Sequence, residues 1–196
     1  ATIQRQIIND LLGIAPERVS ILQGDTDVSA FGMGTGGSRS TIMTGSAMVL
    51  AANKIIAKGK KLSAYLMEAS EADIEFADGK FSVTGTDKEI SIHEVAVAAF
   101  KSNDLPEDME PGLYETGTYN SKTGNFPNGC HICEVEIDPD TGVTEMVNYT
   151  VVDDVGTIIN PMLVRGQIMG GIAQGMGQVL MEDKTYDPET GQLIAG

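Results

Sequence analysis

Seven consecutive residues, Thr35, Gly36, Gly37, Ser38, Arg39, Ser40 and Thr41, bring paired glycines, hydroxyl side chains and one guanidinium together just ahead of a segment with helical apolar spacing. That combination suits an anion. Unpaired backbone N–H groups at a helix start carry partial positive charge, and glycines let the main chain approach phosphate oxygens closely. The same residues are equally compatible with a glycine-rich turn in which Ser38 caps the helix. Gly32, Met33, Gly34, Thr35, Gly36 and Gly37 also satisfy G-x-G-x-x-G, but eight loop residues separate them from the nearest strand-like segment, and position 57 lies inside the helical pattern. A nicotinamide-dinucleotide site needs the strand directly before the loop and an acidic residue at the end of a second strand about 20 residues on, so that reading is set aside. No Gly-Lys-Ser/Thr closes a Walker loop. Cys130, His131, Ile132 and Cys133 have metal-ligand types, yet odd spacing on a strand sends the two thiols to opposite faces, and the chain has only two histidines. Two nearby packed thiols are the simpler expectation. His93, just after a helix cap, is expected as an exposed first-turn side chain. The sequence presents no Ser/His/Asp set or paired carboxylates, and no residue is assigned as catalytic or as a metal ligand.

These residues need elements to hold them. Thr2 to Leu12 carries a helical apolar stripe, and Arg18 to Gln23 reads as a short strand. Ser38 to about Ser70 is helical, with Gly59 expected to break or bend it. Asp78-Gly79 joins Ile74–Phe76 to Lys80–Val83 as a hairpin, because both turn positions favour positive φ. Ser91 with Glu94 forms a capping box that starts a helix of about ten residues at Ile92. Residues 101–129 form a long polar loop with a soft boundary inside it, dividing a lobe 1–104, which holds the glycine-rich loop 32–41 and the long helix, from a lobe 105–196. The second lobe holds a hairpin, residues 132–137 and 143–152, turning at Asp138-Pro139-Asp140-Thr141-Gly142. It also holds a helix at 161–181 opened by Asn160-Pro161. Gly166, Gly170, Gly171, Gly175 and Gly177 in that helix each cost roughly 0.5–1 kcal/mol relative to alanine, so close packing or a ligand is expected to offset them. Asp187 to Gly191 nearly repeats the hairpin turn, which hints at a recurring hairpin-plus-helix unit. The opening helix begins at the first residue and the last strand is cut short, so a piece of a longer polypeptide is expected.

Composition bounds the partners. With 196 residues and 13 Lys plus Arg against 28 Asp plus Glu, the net charge of −15 repels phosphate backbones and anionic lipid, which argues against nucleic acid and membrane as partners. No segment reads as an 18-residue apolar run or a leader, and two cysteines make no secreted disulfide framework, so a cytoplasmic location is expected. The 23 glycines point to a globular, loop-rich chain. Its hairpins and helices are read as an α+β fold, two-layered, with mixed sheets and helices packed on them.

Three segments together, Gly34 to Met48 (GTGGSRSTIMTGSAM), Asp153 to Met162 (DDVGTIINPM) and Gly166 to Gly177 (GQIMGGIAQGMG), resemble the molybdopterin-binding large subunit of the xanthine dehydrogenase, aldehyde oxidase and carbon monoxide dehydrogenase family of molybdenum hydroxylases. Cys133 to Gly142 (CEVEIDPDTG) is similar to the family's hairpin, and the motifs follow the family's order along nearly the whole chain. The resemblance implies that Thr35, Gly36, Gly37, Ser38, Arg39, Ser40 and Thr41 line the pyrophosphate and pterin of a molybdopterin cofactor, in bacteria commonly the cytosine dinucleotide form. Gln174 would hydrogen-bond the pterin through both ends of its amide. Asp154 is either a further cofactor contact or a solvated strand-end carboxylate. The metal would be held by the cofactor itself, which fits a chain without a Cys/His cluster.

The family's reaction is hydroxylation of a substrate carbon with water as oxygen source, with electrons leaving through iron–sulfur clusters to FAD on partner domains or subunits. Its glutamate base is expected beyond residue 196 and its substrate-channel loops before Ala1. The isolated chain, separated from the rest of its own large subunit and from the small-molecule substrate pocket, is therefore expected to be inactive. The rival is a stand-alone anion- or nucleotide-binding scaffold without redox activity.

Overall fold

The computed structural model describes residues 1–28, 32, 34–101 and 105–195. Met33 of the glycine-rich loop and residue 104 at the expected lobe boundary lie outside the described residues. The chain forms two compact units, Ala1–Phe126 and Pro127–Gly196. The break thus follows Phe126 rather than residue 104, because the loop after residue 104 packs on the helices of the first unit.

In the first unit, α1 (Thr2–Leu12) ends at Gly13, whose left-handed φ of 64° closes the helix. A Cβ on Gly13 would lie 2.3 Å from the backbone nitrogen of Gly79, so only glycine lets α1 end against that turn. Residues 19–23 form no strand, a correction to the expected Arg18–Gln23 element. Arg18 closes a short 3₁₀ turn instead, and the described strands of this unit pair only with each other. α2 (Ser40–Met67) is unbroken. Gly59 does not break it: a Cβ there would lie 2.3 Å from Phe81 Cζ, so the glycine admits the Phe81 ring against the helix. By length and composition α2 qualifies as long and apolar enough to cross a membrane, its best window having a mean hydropathy of 1.2, which corrects the expectation of no such run. Only 6% of that window is buried, although part of α2 packs against α1, where Gly45 faces Ile7, and against the sheet.

The sheet is antiparallel, β1 (Ile74–Ala77), β2 (Lys80–Val83) and β3 (Glu89–Ser91), with Asp78 and Gly79 at positive φ in the first turn as the sequence requires. α3 (Ile92–Ala99) starts from the full capping box: Ser91 Oγ accepts from Glu94 N–H, and Glu94 accepts from Ser91 N–H at 2.9 Å. Leu62 and Ala64 of α2, Ile74, Phe81 and Val83 of the sheet, and Val95 and Ala99 of α3 close a single buried cluster. Leu105, Met109 and Leu113 cover its edge, which is what draws the loop after residue 104 into this unit.

The second unit is built from β4 (Asn128–Ile137) and β5 (Thr144–Asp154), a ladder longer than the expected hairpin, with one register shift at Glu134/Val135. α4 (Pro161–Leu180) follows, with Asn160 Oδ1 accepting from Leu163 N–H as its cap and Pro161 at the first turn. A short pair, β6 (Thr185–Tyr186) and β7 (Leu193–Ala195), closes the chain. The two acidic turns are copies in geometry as well as sequence. Asp138 Oδ1 accepts from the N–H of Asp140 and Thr141, Asp187 Oδ1 from those of Glu189 and Thr190, and Gly142 and Gly191 take φ of 73° and 69°. The turn therefore recurs, with the same capping hydrogen bonds at both places. All the described sheets are antiparallel. The class is α+β, helices with small antiparallel sheets.

Candidate functional site

The anion-suited residues sit on an open loop at the N-terminus of α2. Gly34, Gly37 and Ser38 take positive φ of 66°, 56° and 56°, and the Arg39 N–H donates back to Gly36 O at 3.2 Å before the chain enters the helix. α2 opens at Ser40, not Ser38, and Arg39 occupies the cap position without a side-chain cap. Ser38 therefore does not serve as the N-cap; its left-handed backbone shapes the loop. The amides of Ser40, Thr41 and Ile42 take no acceptor among the described residues, as expected in a helix's first turn. Thr35 Oγ1 and Ser40 Oγ are 2.8 Å apart, and Arg39 Nε donates to Gly34 O at 3.3 Å, so hydroxyls and guanidinium are tied to the loop they serve. A Cβ at Gly34, Gly36 or Gly37 would meet no atom within 4 Å, and the loop is exposed. Nothing in the described residues seals these amides off.

Asp154 and Gln174 belong to the second unit. Asp154 ends β5, and its Oδ1 accepts from Gly156 N–H at 2.9 Å, which holds the turn leading toward α4. Gln174 is exposed on α4. Gly171, Ile172, Gly175, Met176 and Val179 face a groove of about 380 Å³ against the hairpin, and at 100° per residue Gln174 falls on the other side of the helix. The helix glycines are not closely packed: a Cβ at Gly166, Gly170, Gly171 or Gly175 would meet no atom within 4 Å, and Gly177 approaches only Glu182. Of the two expected sources of compensation, packing within this unit is absent.

The cysteines are free and exposed rather than packed. Cys133 lines the groove, and no cluster of metal-ligating residues occurs among the described residues. His93 is exposed in the first turn of α3, as expected.

One constellation went unread in the sequence. His131 bridges two strand neighbours, its Nδ1 3.0 Å from Tyr149 Oη and its Nε2 3.2 Å from Asp153 Oδ1. The carboxylate can only accept, so Nε2 is the donor of that contact, and the phenol can serve Nδ1 as either donor or acceptor. The ladder explains the meeting: His131 pairs Val151, so Tyr149 and Asp153 are its diagonal neighbours on the same face. Gly129 pairs Asp153, and a Cβ there would lie 1.8 Å from Asp153 Oδ1, so the glycine makes room for the carboxylate. The signal was the alternation His131-x-Cys133, but the hairpin strand was read as starting at Ile132, whereas β4 begins at Asn128 and includes His131.

Comparison with known proteins decides the family. A family model described as the molybdopterin cofactor-binding domain matches residues 1–196. The chain belongs to that family. This molybdopterin cofactor-binding domain is 37% identical over 193 residues to the gamma subunit of the 6-hydroxypseudooxynicotine dehydrogenase complex of Paenarthrobacter nicotinovorans, covering 98% of this chain and 24% of that protein. It is 37% identical over 194 residues to the carbon monoxide dehydrogenase large chain of Hydrogenophaga pseudoflava, again 98% against 24%. In structure it matches a Cu,Mo-CO dehydrogenase in its carbon monoxide reduced state with a TM-score of 0.86 and 36% identity, covering 98% of this chain and 24% of that one. The domain thus spans about a quarter of the length of the relatives it matches.

Proposed function

We propose that this domain is part of the cofactor-binding region of a molybdenum hydroxylase and that Thr35, Gly36, Gly37, Ser38, Arg39, Ser40 and Thr41 grip the diphosphate of a molybdopterin cofactor in its cytosine dinucleotide form. The observation that carries the reading is the open, donor-rich loop at the start of α2. Its chemistry fits the group: first-turn amides and hydroxyls donate to phosphate oxygens, and a guanidinium on the same loop balances charge. Gln174 supplies an amide to the pterin edge, and Asp154 orders the turn ahead of α4. When bound, the cofactor supplies the redox centre for hydroxylating a substrate carbon with oxygen from water, its electrons leaving through iron–sulfur clusters and FAD on partner domains or subunits.

This chain's residues bind and orient; none is assigned a proton transfer. The base, a glutamate, and the small-molecule substrate pocket belong to other parts of the large subunit in this reading, which leaves the isolated chain inactive. Two free thiols agree with a cytoplasmic enzyme.

The test is molybdenum and cytidine monophosphate content of the parent large subunit, with Arg39→Ala and Gly37→Val beside the wild type. The reading expects one of each per wild-type subunit and about a tenfold loss of occupancy under limiting cofactor in either variant, the scale of one charge-assisted contact. Equal occupancy in all three would overturn the assignment to this loop, and a subunit without nucleotide would overturn the dinucleotide form. A stand-alone scaffold would carry neither molybdenum nor pterin in any context.

A further inference from the structure

The segment after α3 runs back along α2 as a strap. From the C-terminal half of α2 toward its N-terminus, Lys61 pairs with Asp108, Lys54 Nζ donates to Thr116 O at 2.7 Å, and Gly117 lies against Ala47. The strap ends where the cradle begins: Asn125 Nδ2 donates to Ser38 O at 3.0 Å. Two features make this last contact more than surface decoration. A Cβ on Gly117 would lie 2.0 Å from Ala47 O, so the strap is held at backbone distance from the helix and its end cannot drift far. Ser38 is one of three non-glycine residues with positive φ among those described, a conformation that costs an L-residue on the order of 1 kcal/mol and persists only where neighbours hold it. Asn125 is half-buried, and the Phe126 ring folds onto Gly124 beside it.

From this geometry we infer that Asn125 is a positioning residue for the cofactor loop. Its amide fixes the Ser38 carbonyl, and through that peptide plane, whose Arg39 N–H donates to Gly36 O, the aim of the free Ser40 and Thr41 amides that follow. It touches no cofactor atom in this account. The inference rests on the cofactor reading of the loop and adds to it the element that pre-organises the loop before the cofactor arrives.

The experiment measures the rate at which molybdenum leaves the cofactor-loaded full-length large subunit on dialysis, together with thermal stability. Asn125→Leu keeps the volume and removes the donor; it is expected to speed loss about five- to tenfold, the scale of one hydrogen bond, with an unchanged Tm. Asn125→Gln keeps an amide donor and is expected within about twofold of wild type on the same scale. Lys61→Ala, which cuts the strap's exposed ion pair far from the loop, is expected to leave the rate unchanged. The inference is overturned if Asn125→Leu matches wild type, if Asn125→Gln is as fast as Asn125→Leu, or if Lys61→Ala accelerates loss equally. Gly37→Val separates the two levels. If it speeds loss while Asn125→Leu does not, only the positioning role falls; if it too leaves the rate unchanged, the loop is not the cofactor site.

Discussion

The two units solve the burial problem in opposite ways. In the first, a helix with a wide apolar stripe, a three-stranded sheet and a second short helix close on Phe81, Leu62, Ile74 and Val95, each 2% exposed or less. In the second, every residue of β4 is exposed and α4 buries none of its residues, although β4 carries Ile132, Val135 and Ile137 and α4 is rich in valine, isoleucine and methionine. Val152 and Val179 are 71% and 82% exposed. The first unit carries its own core; the second presents apolar surface and open glycines that gain their packing from whatever covers them. This contrast is consistent with a domain whose relatives are about four times its length, and it assigns intrinsic stability to the unit that holds the phosphate-suited loop.

The contrast can be broken by mutation. Phe81→Ala empties the centre of the first core and is expected to cost about 3–5 kcal/mol in denaturant unfolding, whereas Ile172→Ala on the groove face of α4 is expected to cost less than about 1 kcal/mol. Comparable losses at both sites would show that the second unit has a core of its own. Ser91→Ala removes one half of the capping box and is expected to cost about 1 kcal/mol, read by the same unfolding experiment. In the opposite direction, Ser63 is fully buried on α2, and its hydroxyl has no partner among the described residues. Ser63→Ala is expected to stabilise the first unit by about 1 kcal/mol, and destabilisation would mean the hydroxyl is satisfied. Lys61→Ala, at an exposed pair, is expected to change stability by under about 1 kcal/mol.

Acid sharpens the comparison from the other side. Asp138 is held below its ordinary value of 3.8 chiefly by the Asp140 N–H, and Asp187 below the same value chiefly by the Thr190 N–H. Because the folded pKa is depressed, the turns' contribution is complete above 3.8 and is lost as pH falls through the lower folded value. Glu94 in the first unit behaves alike, held below 4.5 chiefly by the Ser91 hydroxyl. NMR titration should show the Gly142 and Gly191 amides shifting together below pH 3.8 while the core signals of Phe81 and Val95 hold. A Gly142 amide that moves near neutrality would contradict the turn's electrostatics.

Local signals were legible where one residue pair decides the backbone. Asp78-Gly79, the Ser91/Glu94 box, Asn160-Pro161 and the twin Asp-x-x-x-Gly turns all specify their structures through nearest-neighbour chemistry, and the structure follows them. What was not legible depends on partners distant in sequence. Arg18–Gln23 has the residue types of a strand but finds no ladder, and Gly59 reads as a helix breaker until the Phe81 ring is placed against it. The His131–Tyr149–Asp153 chain needs the hairpin register, and the expected strands left out both His131 and Asp153. At the candidate site, the glycine and hydroxyl content of 35–41 was visible, but the left-handed Ser38 and its tie to Asn125 arise from a contact spanning 87 positions.

Amide hydrogen exchange across residues 36–42 of the parent subunit, compared with and without bound cofactor, tests the central claim most directly. The account predicts that the Ser40, Thr41 and Ile42 amides, which take no acceptor among the described residues, exchange fast in the stripped subunit and become protected on loading, while the buried amides of Leu62 and Val95 stay unchanged. Equal exchange at residues 40–42 in the two states would contradict it.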